Sequence, residues 1–157
     1  MPDAQGLSAG YVGRNTKLYR STNGNAGPWS EVYEVRTCDP SEPSVDTADL
    51  THLTSPNRRR EPRSTYIDDG TVAVTCNAIN KVTDPTGAAM QEAIFGDQGE
   101  HDANNYWKIE AIDDSAVVHR TFIFPGDVQS AKFGPFDGGA PVDFTFTILR
   151  TGATVLS

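Results

Sequence analysis

Alternation of apolar and polar positions is the dominant pattern along this chain. In residues 71–78 apolar side chains occupy every second position, and mostly polar ones fill the positions between. A period of two is typical of a half-buried β-strand. The same alternation predicts strands at 142–149 and 106–111. The predicted apolar faces consist of Val72, Val74, Cys76 and Ala78, of Val142, Phe144, Phe146 and Ile148, and of Trp107, Ile109 and Ala111.

Weaker strand patterns occur at 17–21, 31–38 and 116–124, so the chain is predicted to be mainly β. Residues that favour tight turns separate these segments. The predicted turns are Asn23-Gly24-Asn25, Asp68-Asp69-Gly70, Asp113-Asp114, Pro125-Gly126-Asp127 and Asp137-Gly138-Gly139.

One segment breaks the β pattern. Asp84 and Pro85 precede the run AAMQEAIFG, which ends in Gly96. An aspartate at the N-cap and a proline at the first helical position are typical of a helix start. The pattern predicts one short helix that packs on a sheet through Met90, Ala93 and Ile94.

A long inter-strand loop is predicted at 39–65, where most residues follow neither a helical nor a strand period. Acidic residues crowd its first half, and Arg58, Arg59, Arg60 and Arg63 crowd its second half. Connections in compact domains are usually a few residues long, and longer ones are often functional or disordered. The length and charge of this loop favour contact with a partner.

Composition favours one domain and argues against stable binding to nucleic acid. The 157 residues are enough for a sizeable core. The net charge of -8, from 21 acidic and 13 basic residues, opposes binding to a phosphate backbone, which requires a local surplus of cations.

The N-terminus has neither the basic start nor the apolar run of a signal peptide, and no window reaches a transmembrane length. We therefore expect synthesis in the cytoplasm and no membrane partner. In that reducing compartment Cys38 and Cys76 are expected to be small buried hydrophobes rather than a disulfide.

No catalytic arrangement emerges, and no cofactor is expected. His52, His101 and His119 are far apart in sequence, and neither cysteine has a partner at metal-ligand spacing. The acidic cluster around His101 lacks the spacing of a calcium loop and is interpreted as a solvated connection. His119 is interpreted as a strand histidine rather than a proton-transfer group. The chain is predicted not to be an enzyme.

The run Arg58-Arg59-Arg60 has two competing interpretations. Guanidinium groups match phosphate well, but the neighbouring Glu61, the acidic first half of the loop and the overall charge oppose nucleic-acid binding. A salt-bridged protein interface is favoured. Solvation alone would explain the arginines but not the length of the loop.

Several short motifs follow one another in the middle of the chain. The segment ADLTHLTSP at 48–56 is followed by Arg58-Arg59-Arg60-Glu61, by the turn and strand at 67–74, and by Asp84-Pro85. This order resembles the tail tube proteins of long-tailed bacteriophages. In that family an Asp-x-Thr-x-x-x-Ser-Pro segment, an arginine and glutamate, a glycine turn and a strand recur in this order before a short helix. The sequence departs from the family at 62–66, where the family more often has an apolar, glycine-containing approach to the turn.

The resemblance implies a β-sandwich or barrel with one flanking α-helix, as a single tail-tube domain over residues 1–157. It also implies hexameric rings that stack into a tube conducting DNA, with tape measure and terminator proteins as further partners, in the tail of a virion assembled in the host cytoplasm. The loop at 39–65 would reach the adjacent ring. The inter-subunit contacts would involve Asp49, Thr51, Arg58, Arg59, Arg60, Glu61 and Arg63.

An acidic bore would be consistent with transport, because DNA on a basic surface would gain affinity at every step and stall. Two other functions remain open. One is a secretion tube that carries effectors, and the other is a monomeric ligand-binding β-sandwich module.

Overall fold

The computed structural model describes residues 16–50, 62–113 and 115–157, with the side chains at 62, 63 and 65 excepted. It contains strands β1 to β10 and one helix, α1. In chain order these are β1 Lys17–Ser21, β2 Ser30–Val32, β3 Val35–Pro40, β4 Ser44–Asp49, β5 Pro62–Asp68, β6 Thr71–Asn77, α1 Pro85–Gly96, β7 Tyr106–Ile112, β8 Val118–Phe133, β9 Asp143–Arg150 and β10 Val155–Leu156.

Eight strands form one antiparallel sheet that folds over itself along β8. The order is β2-β1-β7-β8-β9-β6-β3, and β10 pairs with β8. The first half of β8 pairs with β7, and the half from Gly126 onward pairs with β9. We call sheet A the half that contains β2, β1, β7, β10 and the first half of β8. We call sheet B the half that contains the second half of β8 together with β9, β6 and β3. In the described part of the chain the strands do not close into a barrel.

The two sheets face each other across one hydrophobic core. The ring of Trp107 in β7 lies 5.8 Å from the ring of Phe146 in β9, and Trp107 Nε1 donates to the Gly126 carbonyl oxygen at 3.0 Å. Because β7 and β9 pair with different halves of β8, this contact requires the halves to fold together. The core contains Leu18, Val32, Val72, Val74, Cys76, Ile94, Trp107, Ile109, Phe124, Val128, Phe144, Phe146 and Ile148.

The three strongest strand predictions are confirmed, because each of those strands buries one face. Val72, Val74 and Cys76 are buried in β6, and the corresponding apolar positions of β7 and β9 are buried as well. The segment predicted as one strand at 31–38 is divided into β2 and β3 by a turn at Glu34, which has a φ of 61°.

The predicted turn at Pro125-Gly126-Asp127 is wrong, because β8 continues through it. A Cβ atom on Gly126 would lie 2.6 Å from Ile148 Cγ2 and 3.0 Å from the Leu149 carbonyl oxygen. The glycine is therefore required by close packing between two strands and not by a turn.

The predicted helix is confirmed, but its buried face differs. Asp84 Oδ1 accepts the Gly87 N–H at 3.0 Å, as an N-cap does. Ile94 is buried, whereas Ala93 is exposed and Gln91 is buried instead. The Gln91 amide donates to the Asn77 carbonyl at 2.8 Å and accepts the Ile79 N–H at 3.0 Å. A polar residue thus joins the helix to the end of β6.

Candidate assembly surfaces

Strands β4 and β5 form a two-stranded hairpin, which we call the arm. It occupies much of the segment predicted to be a loop at 39–65, so that prediction is wrong for 44–49 and 62–65, where the chain forms strands. The arm strands pair with each other and with no further strand in the described ranges. An isolated two-stranded hairpin is at best marginally stable in water. The arm therefore extends beyond the core that stabilises the rest of the chain.

Large apolar side chains of the arm are exposed. The exposed fractions are 49% for Val45, 76% for Tyr66 and 70% for Ile67, and Leu50 just past β4 is 55% exposed. Val45 lies opposite Ile67 in the hairpin register. Large exposed apolar side chains that concentrate in one segment are typical of interaction sites. The charge pattern on which the contact set was predicted does not identify these residues.

A buried arginine holds the root of the arm. Arg150, the last residue of β9, donates through Nη2 to the carbonyl oxygen of Ser41 and through Nη1 to Thr154 Oγ1 at 3.3 Å. The Ser41 N–H donates to the Thr71 carbonyl, and the Thr71 N–H donates to Ser41 Oγ, both at 2.8 Å. These contacts fix the position where the chain leaves the sheet.

Gly70 completes the root at the return from the arm. Its φ is 80°, and a Cβ atom there would lie 2.4 Å from Ser41 Oγ. Its N–H donates to Asp68 Oδ1 at 2.8 Å. The glycine predicted in this turn is therefore needed both for its backbone conformation and for close packing against the root.

The predicted contact residues are only partly covered by the structure. Asp49 is exposed at the end of β4, and Arg63 lies in β5 opposite Ala48. Thr51, Arg58, Arg59, Arg60 and Glu61 lie outside the described residues. The arm brings Asp49 and Arg63 onto one hairpin. The predicted role of the whole set stays a prediction.

A groove of about 560 Å³ lies between β2 and α1. Trp29 and Tyr33 line it from the ends of β2, and Met90 and Ala93 line it from the helix. The exposure of Ala93 is thus explained by its position in this groove.

The solvent-facing side of sheet A carries paired charges and aromatic rings, and we call it the charged face. Lys108 Nζ lies 3.3 Å from Glu110 Oε1 and also lies over the rings of Tyr19 and Trp29, at 4.6 and 5.0 Å from their centroids. Lys17 pairs with Glu31 at 3.8 Å. These cations are neutralised by neighbouring carboxylates.

The solvent-facing side of sheet B differs in chemistry, and we call it the hydroxyl face. Two rows of neighbouring positions cross all of its strands. The first row is Thr37, Thr75, Thr145 and Lys132, and the second is Asp39, Ala73, Thr147 and Ser130. Threonine and alanine occupy the centre of these two rows, and Lys132 and Asp39 end them. Asp143, on the same side of β9, is paired with Arg36.

Several titratable groups of the described residues are engaged within the fold. Burial raises the pKa of both the Cys38 and the Cys76 thiol to about 12, and both thiols are free. His101 Nδ1 lies 2.5 Å from Asp127 Oδ2, and this hydrogen bond raises the pKa of His101. The hydrogen bond from His119 Nε2 to Asp113 Oδ2, at 2.8 Å, lowers the pKa of Asp113. His119 is thus a strand histidine paired with the β7–β8 turn.

The acidic cluster around His101 is also accounted for by contacts within the chain. Asp97 accepts a hydrogen bond from the buried guanidinium of Arg20, which also lies 5.2 Å from the centre of the Trp107 ring. Among the described residues no group of three or more His, Cys, Asp or Glu side chains is arranged to hold a metal ion. No helix in those ranges is long and apolar enough to cross a membrane.

Solved structures with a similar fold include components of phage-like particles. One match is a chain of the sheath-tube complex of an extracellular contractile injection system (PVC) in its extended state, with a TM-score of 0.71, 8% identity, and 96% and 93% of the two chains covered. A chain of the anti-feeding prophage (AFP) baseplate gives 0.66, 9%, 96% and 97%. The tail of an empty gene transfer agent (GTA) particle gives 0.63, 14%, 94% and 99%.

The chain has a tail-tube fold. The resemblance to tail tube proteins predicted from the motif order is confirmed at the level of the fold. These structural neighbours are components of tails and injection systems and not enzymes. No protein-family model matches the sequence, and no curated protein matches it.

Proposed function

We propose that the chain is a single tail-tube domain over residues 1–157 and a structural subunit of a phage or phage-like tail tube. Its copies form hexameric rings, and the rings stack into a tube whose lumen conducts DNA. The arm is the observation that carries this proposal. A hairpin with exposed Val45, Tyr66 and Ile67 has little to stabilise it within its own subunit and gains burial when a second subunit covers it.

The ring number is supported by two of the structural neighbours. The AFP baseplate structure is 6-fold symmetrised, and the GTA tail was refined with C6 symmetry. A closed ring satisfies the edges of its sheets, and ring-on-ring stacking is a heterologous contact that forms an open filament. Both properties match a tube built from one chain.

In the sequence, the predicted contact set falls on β4, on β5 or in the segment that connects them. Asp49, Thr51, Arg58, Arg59, Arg60, Glu61 and Arg63 would meet oppositely charged groups of the next ring. The exposed apolar residues of the arm would supply buried area beside these ion pairs. Charged pairs would set the register of stacking, and apolar burial would supply most of the affinity.

The proposal extends to the remaining partners. The subunit would assemble in the host cytoplasm and reside in the virion tail, with tape measure and terminator proteins as neighbours and DNA as transported cargo. It would require no cofactor. Ring and tube formation by the subunit alone can be tested without these partners.

The test is the assembly state of the purified wild-type chain at rising concentration, followed by sedimentation and negative-stain electron microscopy. We expect sixfold rings and hollow filaments. A chain that stays monomeric at the highest concentration would contradict the tube and favour a monomeric binding module.

The arginine run provides a sharper test. Replacing Arg58, Arg59 and Arg60 together with serine is expected to weaken stacking and leave the monomer folded, because interface charges act between subunits. Arg120→Ser is the matched control, since Arg120 is an exposed arginine of sheet A. Tube yield and circular dichroism give the two readouts. Global unfolding of the triple variant would assign these arginines to the fold.

A secretion tube that carries effectors is the second candidate, and the match to the PVC sheath-tube complex favours it. The two candidates differ in the cargo of the native particle. DNA recovered from nuclease-treated native particles supports a phage tail, whereas particles that contain protein and no DNA support an injection system.

A further inference from the structure

Sheet B has two ends, and the arm leaves the body at one of them. β3 ends at Pro40, β6 begins at Thr71 and β9 ends at Arg150, so these three strands meet the root of the arm at the same end. At the opposite end, the turn at 33–34 leads into β3 and the loop at 134–142 connects β8 to β9. We call this turn and this loop together the rim. The seven residues of β6 separate the root from the rim by about 20 Å.

The two parts of the rim are fixed to the ends of the strands. The Asn77 N–H donates to the Glu34 carbonyl oxygen at 3.0 Å, and Asn77 Nδ2 donates to Glu34 Oε2 at 3.2 Å. In the loop, the Gly134 N–H donates to the Asp143 carbonyl oxygen at 2.9 Å. Asp143 lies opposite Asn77 in the sheet and pairs with Arg36 of β3 at 2.5 Å. The rim is therefore a surface of defined shape.

Two aromatic side chains of the rim are exposed. The exposed fractions are 79% for Phe136 and 43% for Tyr33. Next to Phe136, Asp137 Oδ1 accepts the Gly139 N–H at 3.0 Å and closes a turn. A large exposed aromatic side chain on a fixed loop gains little burial within its own subunit, and such side chains are typical of interaction sites.

Stacking of identical rings is a heterologous contact, so it requires two different surfaces that fit each other at opposite ends of the subunit. The arm provides exposed Val45, Tyr66 and Ile67 at one end of sheet B. The rim provides Phe136 and Tyr33 at the other end. Burial of these two apolar sets against each other would remove both from water.

The rim has a negative charge. Its charged residues are Glu34 and Asp137, and both are exposed. On the adjoining strands Arg36 and Asp143 pair with each other, and Lys132 lies on the hydroxyl face. The two carboxylates of the rim are thus available to an incoming cation.

The predicted contact set of the arm has the opposite charge. It contains four arginines against the two carboxylates of Asp49 and Glu61, which gives a net charge of +2. Opposite charges on two surfaces speed their encounter and fix their register, and apolar burial supplies the affinity. The arm and the rim are therefore complementary in both charge and apolar character.

We propose that the rim is the receptor for the arm of a second copy of this chain in the next ring. This inference rests on the proposed tube and names the surface that the arm contacts. Phe136 and Tyr33 cover the apolar side chains of the arm, and Glu34 and Asp137 attract its arginines.

Cross-linking of assembled tubes tests the contact. Ile67→Cys and Phe136→Cys are combined in one chain and treated with a short bis-maleimide. Because stacking is open-ended, we expect denaturing electrophoresis to show a ladder that continues beyond six subunits. Wild-type tubes give the background of Cys38 and Cys76, which should be low because burial raises the pKa of both thiols to about 12 and leaves little thiolate at neutral pH.

The control combines Ile67→Cys with Val82→Cys and should give no ladder. Val82 is 92% exposed, and its segment lies outside the rim, where Lys81 pairs with Glu92 of α1 at 3.0 Å. A ladder that stops at six subunits would place the contact within one ring, and dimers alone would mean a symmetric contact. No cross-linking above the control would separate the two surfaces. Each of these three results overturns the inference.

A serine substitution tests the apolar part of the contact. Phe136→Ser is expected to raise the concentration needed for filaments by about tenfold or more, because the burial of one large side chain is lost. Val82→Ser is the control and should assemble as the wild-type chain does. Equal assembly by the two variants overturns the inference.

Neutralisation of the rim tests the charged part. Glu34→Gln combined with Asp137→Asn removes both charges and keeps the side-chain oxygen acceptors. We expect weaker stacking at low salt and no difference from wild type at high salt, where exposed charges are screened. Glu100→Gln combined with Asp102→Asn makes the same change in net charge at exposed positions outside the rim and should have no effect. Equal effects of the two pairs overturn the inference, whereas failure of the wild-type chain to form tubes overturns the proposed function itself.

Discussion

The body and the arm of this subunit are both antiparallel β-structure, but they are stabilised in different ways. In the body, each long strand buries one face against the opposite half of the sheet, and Val72, Phe144 and Ile148 are completely buried. In the arm, Val45 and Ile67 face each other in the hairpin and remain largely exposed. The comparison indicates that the body is stabilised by its own core, whereas the apolar side chains of the arm gain little burial within the subunit.

The largest effect is expected from a cavity in the body. Phe144→Ala should lower the free energy of unfolding by about 3–5 kcal/mol, because Phe144 is fully buried and its ring stacks 4.5 Å from that of Phe133. Chemical denaturation of the monomer measures the loss. Phe136→Ala is the matched control, since Phe136 is 79% exposed and its removal should change stability by less than about 0.5 kcal/mol. Equal losses would mean that the body has no dominant core.

A smaller effect is expected at the junction of the two regions. Arg150→Met removes the donor to the Ser41 carbonyl and should cost about 1–3 kcal/mol, because a partly buried hydrogen bond from a charged guanidinium is lost. Hydrogen exchange should accelerate at the Ser41 and Thr71 amides first. Arg120→Met is the control: Arg120 is exposed and donates to the carbonyl oxygen of the neighbouring His119, so exchange at the root should not change. Unchanged exchange in Arg150→Met would assign the root to the strands alone.

A substitution within the arm should affect tube assembly more strongly than the stability of the monomer. Ile67→Ser is expected to change monomer stability by less than about 1 kcal/mol, since the side chain is 70% exposed and lies opposite Val45 in the hairpin. If the next subunit covers it, loss of that burial is worth about 1.5–3 kcal/mol and should raise the concentration needed for tubes by about tenfold or more. Val82→Ser, at a 92% exposed position outside the arm, is the control. Equal assembly by both variants would exclude Ile67 from the contact.

The smallest effect concerns pH and lies at an exposed connection of the body. Asp127 raises the pKa of His101 above its ordinary value of 6.5. The stabilisation from this pair is therefore complete below pH 6.5 and is lost as pH rises through the raised pKa of the folded state. His101→Gln should flatten the dependence of the unfolding midpoint on pH in that window. A persistent slope in the variant would assign the dependence to other groups.

The Asp113 carboxylate acts in the opposite direction. Its pKa is lowered below 3.8, mainly by the hydrogen bond from His119, so its stabilisation is present above pH 3.8 and is lost as pH falls through the lowered pKa. Measurements that follow His101 should therefore remain above this acidic range.

The same contrast explains which elements the sequence could predict. Strands β6, β7 and β9 alternate strictly because one side of each is buried, and alternation is the signal that identifies a strand. Nearly every residue of β4 is exposed, so no selection for alternation operates there and the arm was predicted as loop. The segment of β8 around Gly126 was predicted as a turn. The close contacts of Gly126 with Ile148 and Leu149 arise only when β8 packs against β9, so the sequence does not show them.

Prediction of the candidate site was limited for a related reason. The charge of Asp49 and its place in the long segment between two predicted strands could be read from sequence. Whether Ile67 is exposed or buried could not be read in that way. Nor could the hydroxyl face be recognised strand by strand, because Thr75 and Thr145 become neighbours only through the pairing of β6 with β9.

The link between Arg150 and Ser41 also has a mechanical consequence. Arg150 ends β9, which pairs on one side with β6 and on the other with β8, so the arm is anchored to the middle of sheet B. A pull on the arm along the strands would load many inter-strand hydrogen bonds at the same time and in shear, whereas a sideways pull would open them one after another. A filament of such subunits should therefore resist stretching along its axis more strongly than it resists peeling of an arm from its root.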